Sequence, residues 1–222
     1  RNSAPVTSET SRTIVLDSIE NFYKKSKKIE LVKGKANNSA LAHLLKTQND
    51  TKSAAERLIE KVKKNKANLP DFGGGTFGRQ LREVARLILM GNTAPVLKVS
   101  LGSFDTHQAQ QIAQSALLSQ LAEGLKSFYE VLDATGHWDD VLVMTYSEFG
   151  RRVSENGSGG TDHGTAAPHF ILGGNVKGGF YGKQPSLEDL RKGDLKYSTN
   201  FLNYYQTIAK DFMGADMKLG SE

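Results

Sequence analysis

The sequence predicts an α/β protein whose strands are parallel. Two short apolar stretches, residues 96–101 and 141–146, have the composition of strands, and the second is nearly all apolar, as a strand buried on both faces should be. Between them, residues 109–134 show the spacing of an amphipathic helix. Strand, long helix and strand make a βαβ unit, whose two strands should run parallel with a right-handed crossover.

The part of the chain before this unit is predicted to be helical. Residues 13–65 are rich in lysine, and Leu58, Ile59 and Val62 share one helix face that should turn inward. After a break at residues 70–75, a second amphipathic helix is expected, with its apolar face formed by Leu81, Val84, Ala85, Ile88 and Leu89. We therefore divide the chain into a Lys-rich helical region, 1–70, and an α/β core, 71–222, in one structural domain.

The stretch beyond Glu148 is rich in glycine. It contains ten glycines between Gly150 and Gly182, with a short strand expected at residues 169–172. A terminal helix is expected over residues 201–212.

Composition excludes several classes of protein. The 222 residues contain no cysteine, which rules out disulfides and thiolate metal sites. No apolar run approaches the roughly 18–20 residues of a membrane span, and no secretory signal is expected in a chain that starts at Arg1 with polar residues.

Charge is distributed unevenly. Residues 1–100 carry 19 Lys and Arg against 9 Asp and Glu, whereas residues 101–222 carry 10 against 15, for the total of +5. The lysines between Lys24 and Lys66 lack interleaved aromatic residues, so a solvated helical face is favoured over nucleic-acid binding. Four of the five histidines lie in the acidic half, where carboxylate and imidazole together favour cation chemistry.

Candidate site residues follow the two predicted strands. Asp105 and His107 come after the first strand and Glu148 after the second, so parallel strands would bring all three to one sheet edge. A third cluster, Asp162-His163, lies among glycines, and His169 follows six residues after His163. Carboxylate and imidazole are ligands that Zn²⁺, Mn²⁺ or Fe accept in the absence of thiolate.

Structural alternatives exist for each candidate. Asp105-Thr106-His107 is compatible with a turn that carries a solvated histidine, and His169 with an ordinary strand residue. Glu148 is either a ligand or general base, or the ion-pair partner of Arg151 or Arg152. Arg151 in turn has the planar fork of donors that suits phosphate or sulfate oxygens.

Several motifs together resemble a known family. They are the segments 102–107, 147–151, 155–157, 159–164 and 172–182, with the sequences GSFDTH, SEFGR, ENG, GGTDHG and LGGNVKGGFYG. In this order they are similar to the signature of a bacterial family catalogued as domain of unknown function 1501 (DUF1501). The resemblance covers about residues 72–214, the later part of the family's length. It implies a relation to the alkaline phosphatase and sulfatase superfamily, with a three-layer, mostly parallel sheet, and a periplasmic or exported location reached through a twin-arginine signal.

The resemblance also implies roles for residues. Asp105 and His107 match the superfamily's Asp and His ligands after a core strand, and Asp162, His163 and His169 match its late ligands. Segment 147–150 is similar to the superfamily's Ser-Asp-His-Gly strand end, with Phe149 in place of a metal-binding His. One or two divalent ions, Zn or Mn, are expected. The superfamily's nucleophile lies on an early strand, for which residues 1–70 show no counterpart.

Three functions compete on these grounds. The leading hypothesis is a metal-dependent hydrolase of phosphate or sulfate esters, small anionic substrates, with Glu148 and Arg151 as catalytic residues. The alternative is a non-catalytic metal- or anion-binding protein that keeps the superfamily scaffold. The third is a binder of nucleic acid or another anionic polymer, driven by the basic N-terminal half.

Overall fold

The structure is a computed structural model that describes residues 19–30, 38–64, 68–91 and 94–215. The chain divides into two compact units, Arg1–Val99 and Ser100–Glu222, and each is described by itself. Parts of the predicted helical stretch, residues 13–18, 31–37 and 65, lie outside the described residues. No helix in the described part of the chain combines the length and apolar character that a membrane crossing requires.

The N-terminal unit contains three helices in its described residues: α1 (Ile19–Ser26), α2 (Ser39–Lys64) and α3 (Gly75–Leu89). The Asn38 side chain caps α2, because its Oδ1 accepts the Leu41 N–H at 2.8 Å. At α3, a Cβ on Gly78 would meet the Gly73 carbonyl oxygen at 1.8 Å, so only glycine allows the incoming chain to approach so closely.

An apolar cluster holds these helices together. It consists of buried Ile19, Leu87 and Met90, with partly buried Leu58, Val62 and Leu97 packed against it. Leu58 and Val62 of the predicted inward face pack against this cluster and Ile59 is partly buried, while the lysines of α1 and α2 are exposed except for half-buried Lys52. Long amine side chains thus keep their charge in water while the helix backbones pack around a small core.

The C-terminal unit begins with the long helix α4 (Gln110–Ala134), followed by a 3₁₀ turn over Trp138–Asp140. Four short strands come next: β1 (Val143–Met144), β2 (Gly150–Glu155), β3 (Thr161–Gly164) and β4 (Ile171–Leu172). The unit ends with α5 (Phe201–Thr207), which continues into a π-helical turn over Ile208–Phe212. The predicted helices at 109–134 and 201–212 are confirmed within a residue, and Leu117, Phe128 and Leu132 are buried on α4 as their spacing predicted.

The predicted three-layer α/β fold with a mostly parallel sheet is wrong. The described residues form two antiparallel pairs of strands, β1 with β4 and β2 with β3. Residues 96–101 form no strand, although Leu97, Val99 and Leu101 are partly buried in alternation with their exposed neighbours. The alternation signals an extended, half-buried segment, but a strand also needs a hydrogen-bonding partner, which periodicity does not reveal.

Candidate metal centre

The scaffold of the candidate site is the antiparallel pair β2–β3. His163 on β3 lies opposite Arg151 on β2, and Gly150 lies opposite Gly164. The register shifts between Arg151 and Glu155, as in a β-bulge, and the two strands are joined by the glycine-rich turn 156–160. Bulges of this kind redirect side chains next to functional sites.

The segment that carries Asp105 and His107 lies directly against this turn. A Cβ on Gly160 would meet the carbonyl carbon and oxygen of His107 at 2.4 Å, so glycine is needed for the two backbones to approach. The Gln110 N–H donates to the Gly159 carbonyl at 3.0 Å, and the Gln110 Oε1 accepts from the Thr161 hydroxyl at 2.8 Å. These hydrogen bonds hold the first residue of α4 against the strand pair.

Arg151 also links these two segments. Its Nη1 donates to the Thr161 carbonyl, and its Nη2 donates to the Phe104 carbonyl at 2.5 Å and to the Thr106 hydroxyl at 3.4 Å. The predicted anion clamp thus directs its donors to acceptors within the protein. Its role toward an anion stays a prediction.

The side chains of Asp105, His107 and His163 converge where these hydrogen bonds join the two segments. The Asp105 Oδ1 lies 2.7 Å from the Nε2 of His163 and 2.9 Å from the Nε2 of His107. The two imidazole rings are stacked with centroids 4.9 Å apart. One potential ligand atom from each residue falls within 4.8 Å of the others, and all three residues are exposed. The cluster is therefore open to solvent and to small molecules.

This geometry fits a divalent transition-metal ion. Two ligands that each lie about 2.0–2.1 Å from a tetrahedral ion are separated by roughly 3.4 Å. Each Nε2 atom lies about 0.5–0.7 Å closer to Asp105 Oδ1 than this separation, and one ligand atom from each residue lies within 4.8 Å of the others. Two imidazoles and one carboxylate are a donor set that Zn²⁺ and Mn²⁺ accept.

Hydrogen bonding and nearby charge affect the ionisation of Asp105, and aromatic stacking restrains the ring of His163. The hydrogen bond from His163 lowers the pKa of Asp105 below its ordinary value, with smaller help from the nearby His107 and Arg151 charges. Asp105 is thus held as a carboxylate. Phe149 stacks on the His163 ring with centroids 3.8 Å apart and an interplanar angle of 4°. Phe149 therefore restrains the plane of a candidate ligand.

The matching family is described as protein of unknown function (DUF1501), and its match extends over residues 13–213. The chain belongs to this family. No curated protein and no solved structure matches the chain. The DUF1501 match begins well before residue 72, where the resemblance of motifs begins, so the helical N-terminal unit is part of the family as well.

The remaining predicted site residues of this DUF1501 protein lie outside the three-residue cluster. The Asp162 Oδ1 is 3.5 Å from His107 Nδ1, on the side of the ring away from Asp105. His169 stacks on Tyr204 with centroids 5.8 Å apart, and partial burial lowers its pKa. Glu148 is exposed, and it forms an ion pair with neither Arg151 nor Arg152 among the described contacts.

Asn156 is a residue of the site that was not predicted from its sequence context. Its amide donates to the His107 carbonyl at 3.0 Å and to Asp162 Oδ1 at 3.4 Å. The available signal was its position before Gly157 in a glycine-rich loop, because Asn-Gly pairs mark turns. That signal identifies the turn but not the segment that the amide binds.

Proposed function

We propose that the protein binds one divalent transition-metal ion, Zn²⁺ or Mn²⁺, through Asp105, His107 and His163, and hydrolyses phosphate or sulfate esters there. The observation that supports this most directly is the convergence of two imidazole Nε2 atoms on one carboxylate oxygen, at 2.7 and 2.9 Å. His163 comes 58 residues after Asp105 in sequence, so the fold rather than local chain proximity brings it to the Asp105–His107 segment.

The donor set favours reactivity over a purely structural ion. Structural zinc sites are usually closed by four protein ligands, whereas hydrolytic sites use three and leave a position open. A cation held in this way polarises an ester oxygen and lowers the pKa of water toward about 7. The exposure of all three ligands leaves room for a substrate to enter.

The chain's own residues would hold and orient the reacting groups. Asp105 supplies the negative charge that offsets the cation, and its lowered pKa keeps it ionised under mildly acidic conditions. Stacking on Phe149 restrains the His163 ring, and the Arg151 guanidinium lies 5.1 Å from the centre of the Phe149 ring. Arg151 therefore adds positive charge next to the cluster, which favours an anionic substrate.

The ester class is supported by the motif resemblance and by this charge, while the metal itself is supported by the donor geometry. The antiparallel strand pairs give no support to an alkaline phosphatase-like sheet. Export through a twin-arginine signal, which the resemblance implies, belongs to the same proposal.

A second candidate function is a metal-binding protein without catalysis. Two polar groups beside the site are engaged internally: Arg151 donates to backbone carbonyls, and the Ser147 hydroxyl donates to the Phe149 carbonyl at 2.8 Å. Such engagement leaves fewer groups free to act on a substrate. This observation favours the second candidate.

Hydrolysis of p-nitrophenyl phosphate and p-nitrophenyl sulfate decides between the two functions. The protein is stripped with chelator, reloaded with Zn²⁺ or Mn²⁺ and compared with His107→Ala. His137→Ala is the matched control, because His137 hydrogen-bonds the Thr135 carbonyl outside the cluster. Metal-dependent turnover that His107→Ala abolishes and His137→Ala retains supports the hydrolase. A metal-loaded protein that hydrolyses neither ester, under any metal tried, supports the non-catalytic function instead.

A further inference from the structure

The turn between β2 and β3 is organised by one side chain. Asn156 Oδ1 accepts the N–H groups of Ser158 at 2.9 Å and Gly160 at 3.2 Å. The Asn156 N–H also donates to the Gly160 carbonyl at 2.7 Å. The carbonyl half of the side chain is therefore used to close the turn, as in other Asx turns.

The amide half of the same side chain points away from the turn. Its Nδ2 donates to the His107 carbonyl, 49 residues away in sequence, at 3.0 Å. It also lies 3.4 Å from Asp162 Oδ1. Asn156 is thus the one side chain in the described part of the site whose hydrogen bonds reach both His107 and Asp162.

These two partners face each other. His107 has its Nε2 at 2.9 Å from Asp105 Oδ1 and its Nδ1 at 3.5 Å from Asp162 Oδ1. An imidazole that binds a metal through one nitrogen usually gives the proton on the other nitrogen to a carboxylate or carbonyl. With Nε2 directed to the cluster, Asp162 occupies the place of that outer partner.

We propose that Asn156 is a positioning residue of the metal centre: it holds Asp162 against His107 so that His107 presents Nε2 to the cation. This inference rests on the metal site proposed above. In this arrangement Asp162 contacts the ligand His107 and does not bind the metal ion itself. Such outer partners contribute about 10–100-fold to metal affinity.

Asn156→Ser separates the two halves of the side chain. A serine hydroxyl replaces the turn acceptor, although more weakly, but it is too short to reach the His107 carbonyl. The matched control is Asn175→Ser, because Asn175 also donates its amide to a distant backbone carbonyl, that of Asp139 at 2.8 Å, away from the cluster. Neither substitution changes the charge.

Cobalt titration provides the measurement, since Co²⁺ absorption reports both affinity and ligand set. We expect Asn156→Ser to weaken Co²⁺ binding about 10–100-fold with unchanged band positions, while Asn175→Ser stays within about twofold of wild type. The melting temperatures of the metal-free variants should fall by similar amounts. Unchanged affinity in Asn156→Ser overturns the inference, and so does an equal loss in Asn175→Ser.

Asp162→Asn tests the same contact from the other side and decides the matter if Asn156→Ser does not fold. We expect weaker Co²⁺ binding with unchanged bands, and little further loss in the double variant, because the two residues act as a unit. Shifted bands would mean that Asp162 is a ligand, and unchanged affinity that it has no role; either result overturns the inference. A wild-type protein that binds no Co²⁺ overturns the metal site as well, which distinguishes the two failures.

Discussion

The lysines of α1 and α2 in the N-terminal unit face solvent, whereas in the C-terminal unit a carboxylate and two histidines face one another. The lysines of α1 and α2 surround the apolar cluster of Ile19, Leu87 and Met90, and all but one are exposed. In the other unit, Asp105 forms a hydrogen bond with His163, and the His107 Nε2 lies 2.9 Å from the same carboxylate oxygen. The N-terminal unit has the larger net charge, but the stronger candidate site lies in the C-terminal unit. Convergence of potential ligands indicates a binding site more directly than an excess of charge does.

Loss of core packing in the N-terminal unit should produce the largest change in stability. Leu87 is 5% exposed and belongs to the apolar cluster, so Leu87→Ala should cost about 2–5 kcal/mol of unfolding free energy. Metal affinity should be unchanged, because the ligands lie in the other unit. Urea denaturation and a Zn²⁺ titration of the folded variant measure the two effects. Loss of metal affinity in a folded Leu87→Ala variant would contradict the independence of the metal site from the N-terminal core.

Metal removal should have the next largest effect, and it acts on the C-terminal unit. A ligand that binds only the folded protein contributes about 2.7 kcal/mol at a hundredfold excess over Kd. Chelation should therefore lower the melting temperature by roughly 5–10 °C, given about 2–4 °C per kcal/mol at this size. His107→Ala should melt at the temperature of the chelated protein and not respond to Zn²⁺ or Mn²⁺.

The control for that experiment is His137→Ala, whose histidine lies outside the cluster and should leave the response intact. Differential scanning fluorimetry of all three proteins, with and without chelator, is sufficient. A wild-type melting curve that no chelator or divalent ion moves would make Asp105-Thr106-His107 a structural turn.

The smallest expected effect concerns a tyrosine away from the cluster. The Tyr204 hydroxyl donates to the Thr145 carbonyl at 3.1 Å and lies 3.4 Å from the Phe170 carbonyl, which links α5 to the ends of β1 and β4. Tyr204→Phe should cost about 0.5–1.5 kcal/mol at pH 7 and leave metal affinity unchanged.

The pH dependence of this residue provides a second test. Burial, with a smaller contribution from Tyr205, raises the pKa of Tyr204 to about 12. Because the folded state holds the neutral phenol more tightly than the unfolded state, its contribution is fully present below pH ~10 and is lost as the pH rises toward about 12. Urea midpoints between pH 8 and 11.5 should therefore fall more steeply for wild type than for Tyr204→Phe. Parallel curves would contradict the assignment.

Helices were predicted well because their signal is local. The apolar positions on α3 and α4 recur at helical spacing, and Leu81, Ala85, Phe128 and Leu132 are buried as that spacing requires. Ile112 follows the same spacing but is 80% exposed, because a helical period does not indicate where the packing partner of the helix ends.

Strand pairing was predicted wrongly because its signal is not local. Val143 pairs with Leu172 and Met144 with Ile171, antiparallel and across residues 145–170, which themselves contain β2 and β3. The sequence showed which stretches were apolar, but it contained no sign of which stretch would supply the hydrogen bonds. The predicted βαβ unit paired residues 96–101 with residues 141–146 in parallel, whereas β1 pairs with β4 in the antiparallel direction.

The candidate site came together for a different physical reason than expected. A shared edge of parallel strands was expected to unite Asp105, His107 and Glu148, but the fastening of residues 104–110 to the β2–β3 pair brings Asp105 and His107 to His163 instead. Residue chemistry identified the ligand types from sequence, whereas the contacts of Asn156 and Arg151 that assemble them are visible only in the structure.

Metal analysis of the purified protein tests the central claim most directly. The protein, isolated without chelator or His tag, is equilibrated with Zn²⁺ or Mn²⁺, dialysed and analysed by inductively coupled plasma mass spectrometry beside His107→Ala and His137→Ala. Convergence of Asp105, His107 and His163 predicts about one tightly held ion per chain in wild type and His137→Ala, and a loss of that ion in His107→Ala. A wild-type protein that retains no metal, or a His107→Ala variant that retains as much as wild type, would contradict the account.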